Sequence, residues 1–531
     1  LIVFDPAILV NLLFPNQLGI IMDIKKISLA GLALASLATY GTSRADAAEA
    51  PTHGVAVGEV TANSAIIWSR ANREGKMHVL IKDWHFKDQH AGPAVAHKTF
   101  TVKAADDFTG KLSFSGLRPD TVYEYRVWFN DGDEREESGE GLKKEDLSKF
   151  TEGMFRTAPA PHEAKRVSFA FGGDLAGQNT CRDEKEGFPI FAAINTMRPD
   201  FFIGLGDMIY ADGVCDAIGR YGNKQIPGGF TQAFDLPSFW AHWKYNREDS
   251  GYRALLAKTP YYAIWDDHEA VNDFGPLHDT RTAAPYTPGE HLLPLGLKAF
   301  LDYNPIMEKA DNPKRIYRNI RWGQHVELFI LDTRQYRDAN FSADSKTQPK
   351  TMLGREQLEW LKEKMKASSA TWKIVVSSVP MSIPTGSAST AGRDGWANFQ
   401  EAGGFEHELT DILKFMKDNK MHNNLWITTD VHFAAAFRYT PFQDDPSFQV
   451  HELVSGPLNA GVFPNRNFDT TLGTESLFFF GANAASDVST WKQAKSWMNF
   501  GAVEVSEDGA LTLSVRDIVG NAVYENTLLP K

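Results

Sequence analysis

Between Thr52 and about Ala158 the chain alternates apolar and polar residues in short bursts. The clearest is Val122-Tyr123-Glu124-Tyr125-Arg126-Val127, a period-two pattern in which alternate side chains share one face of a strand. Six further runs share this texture: Gly54–Val60, Ser64–Ala71, Met77–Asp83, Lys98–Ala104, Lys111–Leu117 and Gly153–Thr157. Turn-forming pieces such as Asn72-Arg73-Glu74-Gly75 and Asn130-Asp131-Gly132-Asp133 separate them. Seven short strands with regular turn signals predict an all-β sandwich over residues 48–158. The Pro-rich stretch Ala158-Pro159-Ala160-Pro161-His162-Glu163 then reads as a linker, residues 159–165.

Past the linker the pattern changes. Apolar strand-like runs alternate with helical periodicity, as in Leu358, Leu361 and Met365 on one face of a helix predicted over Arg355–Lys366. This alternation predicts a layered α/β domain over residues 166–531. The Gly-, Pro- and aromatic-rich segments 213–250 and 275–300 read as long loops over the site.

Composition narrows the function classes. The 531 residues allow two to four domains at roughly 150 residues each. Lys plus Arg number 55 against 67 Asp plus Glu, a formal charge of -12. That balance argues against a broad basic surface, so no stable nucleic-acid complex is expected. Two cysteines exclude a disulfide-rich scaffold and a four-thiolate zinc site.

The N-terminal segment reads as an address. Met22-Asp23-Ile24-Lys25-Lys26 precedes a mostly apolar run, Ile27 to Ala38, and Ala45-Asp46-Ala47 follows. A basic start, a short apolar segment and a small-residue site predict a secretory signal cut after Ala47. Residues 1–21 precede Met22 as upstream sequence. The apolar run is shorter than the roughly 20 residues of a membrane-spanning helix. The expected compartment is therefore periplasmic or extracellular, with no transmembrane anchor after cleavage; an uncleaved membrane anchor is the alternative.

The most informative feature is where the acidic residues fall. Val167–Gly173 runs into Asp174, Phe201–Gly206 into Asp207, and Tyr261–Trp265 into Asp266-Asp267-His268-Glu269. Leu328–Leu331 runs into Asp332, and Leu425–Thr429 into Asp430-Val431-His432. Ligands of open α/β sheets bind beyond the C-terminal ends of the strands. Several carboxylates gathered there would repel one another, and cations are the simplest remedy. Asp, Tyr and His together suit di- or trivalent metals.

In this combination the sequence resembles the alkaline phosphatase D (PhoD-like) family of metallophosphoesterases, with kinship to purple acid phosphatases. The resemblance rests on Gly54–Val60, Gly206-Asp207-Met208-Ile209-Tyr210-Ala211-Asp212, Trp265-Asp266-Asp267-His268-Glu269, Leu331–Arg337, Met352-Leu353-Gly354 and Thr429-Asp430-Val431-His432. It implies a four-layer α-β-β-α catalytic domain preceded by a sandwich. Leu117–Tyr123 also resembles part of a fibronectin type III module, making the sandwich fibronectin III-like. The implied activity is hydrolysis of phosphate esters, diesters included, with a metal-bridging hydroxide as nucleophile.

Carried over by position, one metal would take Asp174, Asp207, Tyr210 and His432. The second would take Asp207 as bridge, Asp267 and Asp430. Some family members have Cys where Asp174 stands; Asp174 matches the purple acid phosphatase pattern instead. The resemblance implies Fe³⁺ at the Asp/Tyr/His site. The oxygen-rich second site favours Ca²⁺, or Mg²⁺ or Mn²⁺, over Zn²⁺. A His of the wider superfamily is missing, since Ser377-Ser378-Val379-Pro380 occupies its place.

His268 follows a ligand directly and is assigned to protonating the leaving oxygen or steadying the transition state. Its alternative is a His locked by Glu269 or a backbone carbonyl. Arg334, just past a strand end, is assigned to clamping phosphate in a fork, with a salt bridge to a neighbouring Asp as its alternative. Asn272 is either an oxygen ligand or, more commonly for Asn, a turn residue. Cys181 and Cys215 follow the Asp174 and Asp207 loops, so they form a disulfide if those loops meet; two free thiols are the alternative.

No Gly-x-Ser-x-Gly elbow or phosphate-binding P-loop occurs. The competing readings are a phosphatase confined to monoesters and a non-catalytic, metal-stabilised binding protein. The sequence leaves the physiological ester, small molecule or polymer, and the oligomeric state open.

Overall fold

The computed structural model describes residues 49–85, 90–130, 149–275, 289–387, 392–399, 401–464 and 467–531. The signal reading for residues 1–47 lies outside them. The described part is a mixed α/β structure with large sheets and few helices.

All seven N-terminal strands form: Val55–Gly58, Ser64–Arg70, Gly75–His85, His90–Val102, Thr109–Ser115, Val122–Asn130 and Thr151–Arg156. The fourth starts earlier than its pattern suggests. Pro93 and three alanines interrupt the alternation, yet pairing with Gly75–His85 continues past two register shifts, one on either side of Lys82. Four of these strands make one sheet, in the order His90–Val102, Gly75–His85, Val122–Asn130, Thr151–Arg156. The inward residues Val79, Tyr125 and Val127 of that sheet share a core with Val57, Ile67 and Phe114 of the other three strands.

Those three strands do not form a separate sheet. Val55–Gly58 pairs in parallel with Tyr261–Ala263 through Gly58 and Tyr261. The result is a nine-stranded sheet that continues through Phe201–Gly204, Val167–Gly172, Asn499–Val505, Leu511–Asp517 and Ala522–Leu528. A seven-stranded sheet runs Arg318–Trp322, Val326–Ile330, Trp372–Val376, Asn424–Thr428, Val450–Val454, Ala434–Tyr439, Thr474–Phe480.

Period-two alternation explains the packing of both sheets. Phe169, Phe171, Phe201 and Ile203 share one core with Leu328, Ile330, Ile374 and Ile427 of the other sheet. The residues between them, Ala170 and Phe202, pack against Phe191, Tyr252 and Leu255, from the helices Ile190–Met197 and Ser250–Lys258. On the second sheet Phe329, Val375 and Trp426 pack against Leu361, Met365, Leu409 and Leu413. Those four lie on helices Gly354–Ala367 and Glu406–Asp418, the first close to its predicted span. A one-residue slip of any of these strands would swap its two apolar faces.

Two segments read as loops contain helices. Leu236–Arg247 begins at Asp235, which caps it reciprocally with Ser238, and Gly289–Tyr303 follows residues 276–288, which are not described. The first helix buries His242, Asn246 and Arg247 beside Phe239 and Trp243, so no apolar stripe marks it in the sequence.

The parallel strands of each sheet point the same way: Val167–Gly172, Phe201–Gly204 and Tyr261–Ala263 in one, Val326–Ile330, Trp372–Val376, Asn424–Thr428 and Val450–Val454 in the other. Their C-terminal ends set the site.

Candidate metal centre

Four of the six predicted ligands have an unusual backbone. Asp174 (φ 61°), Asp207 (φ 52°), Asp430 (φ 78°) and His432 (φ 60°) all have left-handed backbones. Such residues cost of order 1–3 kcal/mol each and persist where their surroundings over-determine them. The local crowding is severe at two glycines. A Cβ on Gly456 would lie 2.2 Å from Asp174 Oδ2, and one on Gly206 2.6 Å from the Asp266 Cβ.

Asp174, Tyr210 and His432 form one group. The Tyr210 hydroxyl lies 2.9 Å from His432 Nε2 and 3.5 Å from Asp174 Oδ1. His432 Nε2 is 3.7 Å from that carboxylate oxygen. Nδ1 of His432 donates to the Gly461 carbonyl, which leaves Nε2 with its lone pair. Burial lowers its pKa to about 3, so the ring is neutral and suited to a cation. Thr429 Oγ1 donates to Asp174 Oδ2 at 3.0 Å.

Asp207, Asp266, Asp267 and Asp430 form a second group, with one ligand atom of each within 4.8 Å of the others. Burial, then the charges of neighbouring carboxylates, push Asp207 and Asp430 far above the usual carboxylate range. Asp207 Oδ2, Asp266 Oδ2 and Asp430 Oδ2 are buried without a hydrogen-bond partner. Orphaned carboxylate oxygens in one cluster are what a hard cation would satisfy, so this group fits a bound metal ion.

Three residues around these groups escaped sequence reasoning as participants. Glu269 accepts the backbone N–H groups of Asp207 (3.0 Å), Met208 (2.8 Å) and Asp266 (2.8 Å), tying two ligand-bearing loops together. Asp212 holds His268 Nδ1 at 2.7 Å. His268 is therefore locked by Asp212, while Glu269 serves the backbone. Burial alone would lower the His268 pKa, but Asp212 and then Asp267 raise it to about 10. Asp394 joins Asp267 and Asp273 in a third acidic group. Asp212 stands inside the quoted Gly206–Asp212 motif; Asp394 lies in a loop with no motif around it.

The phosphate-fork assignment of Arg334 is corrected. Arg334 is completely buried: Nε donates to Asp266 at 2.6 Å and Nη1 to Asp394 at 3.0 Å. Nη2 lies 3.7 Å from Asp267. Its guanidinium is committed to the protein's own carboxylates, the salt-bridge alternative. Asp332 likewise stays outside both groups, accepting from Trp265 Nε1 and two backbone N–H groups. The Asn272 backbone N–H donates to Asp212, a turn role.

The site opens into a cavity of about 380 Å³ whose walls include Asp267, His268, Asp430, His432, Phe433 and Phe463. Cys181 and Cys215 form a disulfide between the loop after Asp174 and the loop after Asp207.

The description "PhoD-like phosphatase" belongs to the family model that matches residues 169–517, and its N-terminal domain model matches residues 36–159. The chain belongs to the PhoD-like phosphatase family. This PhoD-like chain is 26% identical over 413 residues to alkaline phosphatase D of Bacillus subtilis (strain 168), covering 72% of the chain and 64% of that protein. The match thus spans under two thirds of the relative's length. Tartrate-resistant acid phosphatase type 5 of Sus scrofa is 23% identical over 238 residues, 43% of the chain and 56% of that protein. Among solved structures, PhoD superposes with a TM-score of 0.68 at 19% identity, over 90% of this chain and 89% of that one. The purple acid phosphatase PPD1 of yellow lupin (Lupinus luteus) seeds gives 0.56 at 13%, over 90% and 74%. At these identities the two structures show a shared fold.

Proposed function

We propose that this PhoD-like chain is an exported, metal-dependent hydrolase of phosphate esters, diesters as well as monoesters. The observation that carries the reading is the cluster of buried, unpartnered oxygens of Asp207, Asp266 and Asp430, of which Asp430 borders an open cavity. A purely structural ion would be enclosed by protein ligands; here Asp267, Asp430 and His432 line the cavity wall, which favours catalysis over a binding role.

In this reading Asp174, Asp207, Tyr210 and His432 hold Fe³⁺, and Asp207, Asp267 and Asp430 hold Ca²⁺, Mg²⁺ or Mn²⁺. Cations bound there would acidify water and neutralise charge on the phosphoryl oxygens. The protein's own groups do the rest. Asp212 fixes the His268 ring through Nδ1, leaving Nε2 to hold a proton towards the cavity. Water adds to phosphorus and loses a proton, the bond to the leaving oxygen breaks, that oxygen takes the His268 proton, and the proton released by the water restores His268. Arg334 positions Asp266 and, through it, the turn that carries Asp267.

The same reading takes the layering as helix, sheet, sheet, helix, supported by one core between the sheets and one on each outer face. It also takes residues 48–158 as a fibronectin III-like sandwich before a catalytic domain over 166–531. Export rests on the Met22–Ala47 pattern; no helix of the described residues is long and apolar enough to cross a membrane. The test is release of nitrophenol from bis(p-nitrophenyl) phosphate and p-nitrophenyl phosphate, with and without chelator, alongside metal analysis of the purified protein. Chelator-sensitive hydrolysis of both esters is expected. Hydrolysis that ignores complete metal removal, or none by metal-replete protein, overturns the reading.

A further inference from the structure

Beside the metal-edge cavity lies a second one of about 220 Å³. Its walls are Ile383, Phe433, Phe437, Phe468 and Phe479, with Asn467 and Ser476 as the polar part. No described charged residue lines it, although the chain carries -12 and the neighbouring cavity is acidic. The two cavities have Phe433 in common, the residue directly after His432. The rings are braced against one another: Phe433 on Phe479 at 4.8 Å between centroids, Phe437 on Phe468 at 5.4 Å.

These rings come from separate elements. Phe437 lies on the strand Ala434–Tyr439 and Phe479 on its edge neighbour Thr474–Phe480, while Phe468 comes from the segment between Val450–Val454 and Thr474–Phe480. Phe468 and Phe479 stay partly open to solvent, and Ser476 is exposed at the rim. A preformed apolar cleft with few polar groups is the usual make-up of a small-molecule subsite.

We infer that this cleft seats an unbranched alkyl substituent on the substrate's phosphorus, so that the enzyme prefers phosphodiesters with an apolar alcohol. The inference rests on the phosphoesterase reading and names the substrate class for it. A phosphoryl group held at the carboxylate edge can send one ester arm past Phe433 into the cleft. Water around that arm is released to bulk, which strengthens binding with every methylene buried. A second anionic or strongly polar arm gains nothing there, because it would lose its hydration without a charged partner. The phenyl faces also make a quaternary ammonium the rival occupant.

The experiment uses metal-replete protein and p-nitrophenyl phosphodiesters whose second alcohol is methyl, butyl, octyl or choline, each below its micelle concentration. The kcat/KM is expected to rise by about threefold per added methylene until the cleft is filled. The octyl ester should exceed the methyl ester at least tenfold, and the choline ester should not exceed butyl. Ser476→Trp, at an exposed rim position, should fill the cleft and pull the octyl-to-methyl ratio towards one. Phe468→Ala should lower the ratio by the route of lost contact, with circular dichroism and melting temperature checking the fold. Equal rates for methyl and octyl, or an octyl-to-methyl ratio unchanged in Ser476→Trp, overturn the inference and leave the phosphoesterase reading standing. A choline ester that outruns octyl overturns it in favour of a cation. Loss of hydrolysis of every ester removes both readings together.

Discussion

Asp212 Oδ1 lies 2.7 Å from His268 Nδ1, and the Asp212 carboxylate is itself anchored by the Asn272 backbone N–H at 2.9 Å. The pair commits Nδ1 to Asp212 and leaves Nε2 as the ring nitrogen for other partners. Asp212→Asn should therefore slow hydrolysis through the leaving group. With a good leaving group such as nitrophenolate, kcat should fall by less than about tenfold; with an alkyl alcohol it should fall by about 10²–10⁴. His268→Ala should show the same dependence on leaving-group acidity, more steeply. A loss equal for all leaving groups would remove His268 from proton transfer.

Glu269 offers a stability prediction. Its carboxylate serves three backbone N–H donors, and Gln in its place turns one acceptor into a donor facing a donor. Hydrogen bonds to charged acceptors contribute about 1.5–3 kcal/mol each. Glu269→Gln should lower the melting temperature by several degrees. It should also weaken metal retention on dialysis, because the Asp207 and Asp266 loops lose their common tie.

For Arg334 the expected readout separates two roles. Removing the cation from Asp266 and Asp394 leaves two buried carboxylates without their partner, at a cost of about 3–5 kcal/mol. Arg334→Met should destabilise the protein strongly in thermal unfolding. Arg334→Lys should recover part of that stability, with KM for phosphate esters near wild type. A large KM rise at unchanged melting temperature would restore the phosphate fork.

Cation removal should reverse the sign of one mutation. In chelated protein the carboxylates of the Asp207 group repel one another, so Asp430→Asn should raise the melting temperature. In metal-replete protein the same change should abolish most activity and lower metal content. Calorimetry of both proteins with and without chelator checks this.

A pH prediction comes from a histidine outside the metal groups. Burial, followed by Arg70 and Lys244, lowers His53 from 6.5 to about 3. The folded protein then binds fewer protons at this site than the unfolded chain. Stability from this group is present above about pH 6.5 and is lost as pH falls from there towards 3. His53→Gln should lose less melting temperature between about pH 7 and pH 4 than wild type does.

Much of the site was legible because its residues terminate strongly apolar strands. Asp174, Asp207, Asp267 and Asp430 each follow such a run; parallel pairing aligns the first three ends in one sheet, and the Asp430 strand ends in the sheet packed against it. The seven N-terminal strands were legible from turns and alternation. The Leu236–Arg247 helix was not, because its buried face mixes Trp and Phe with His, Asn and Arg, which periodicity counts as polar. Asp394 was not, because only tertiary packing brings its loop beneath Asp267. Arg334 was read in the right place with the wrong partner: a strand-end position does not reveal how completely a side chain will be enclosed.

The parallel pairing of Gly58 with Tyr261 makes the first strand a seam rather than an appendage. A shortened chain beginning after Pro161 would strip the cover from the Tyr261–Ala263 border and leave naked amide and carbonyl groups there, an invitation to self-association. The two portions of the molecule are therefore expected to stand or fall as one cooperative body.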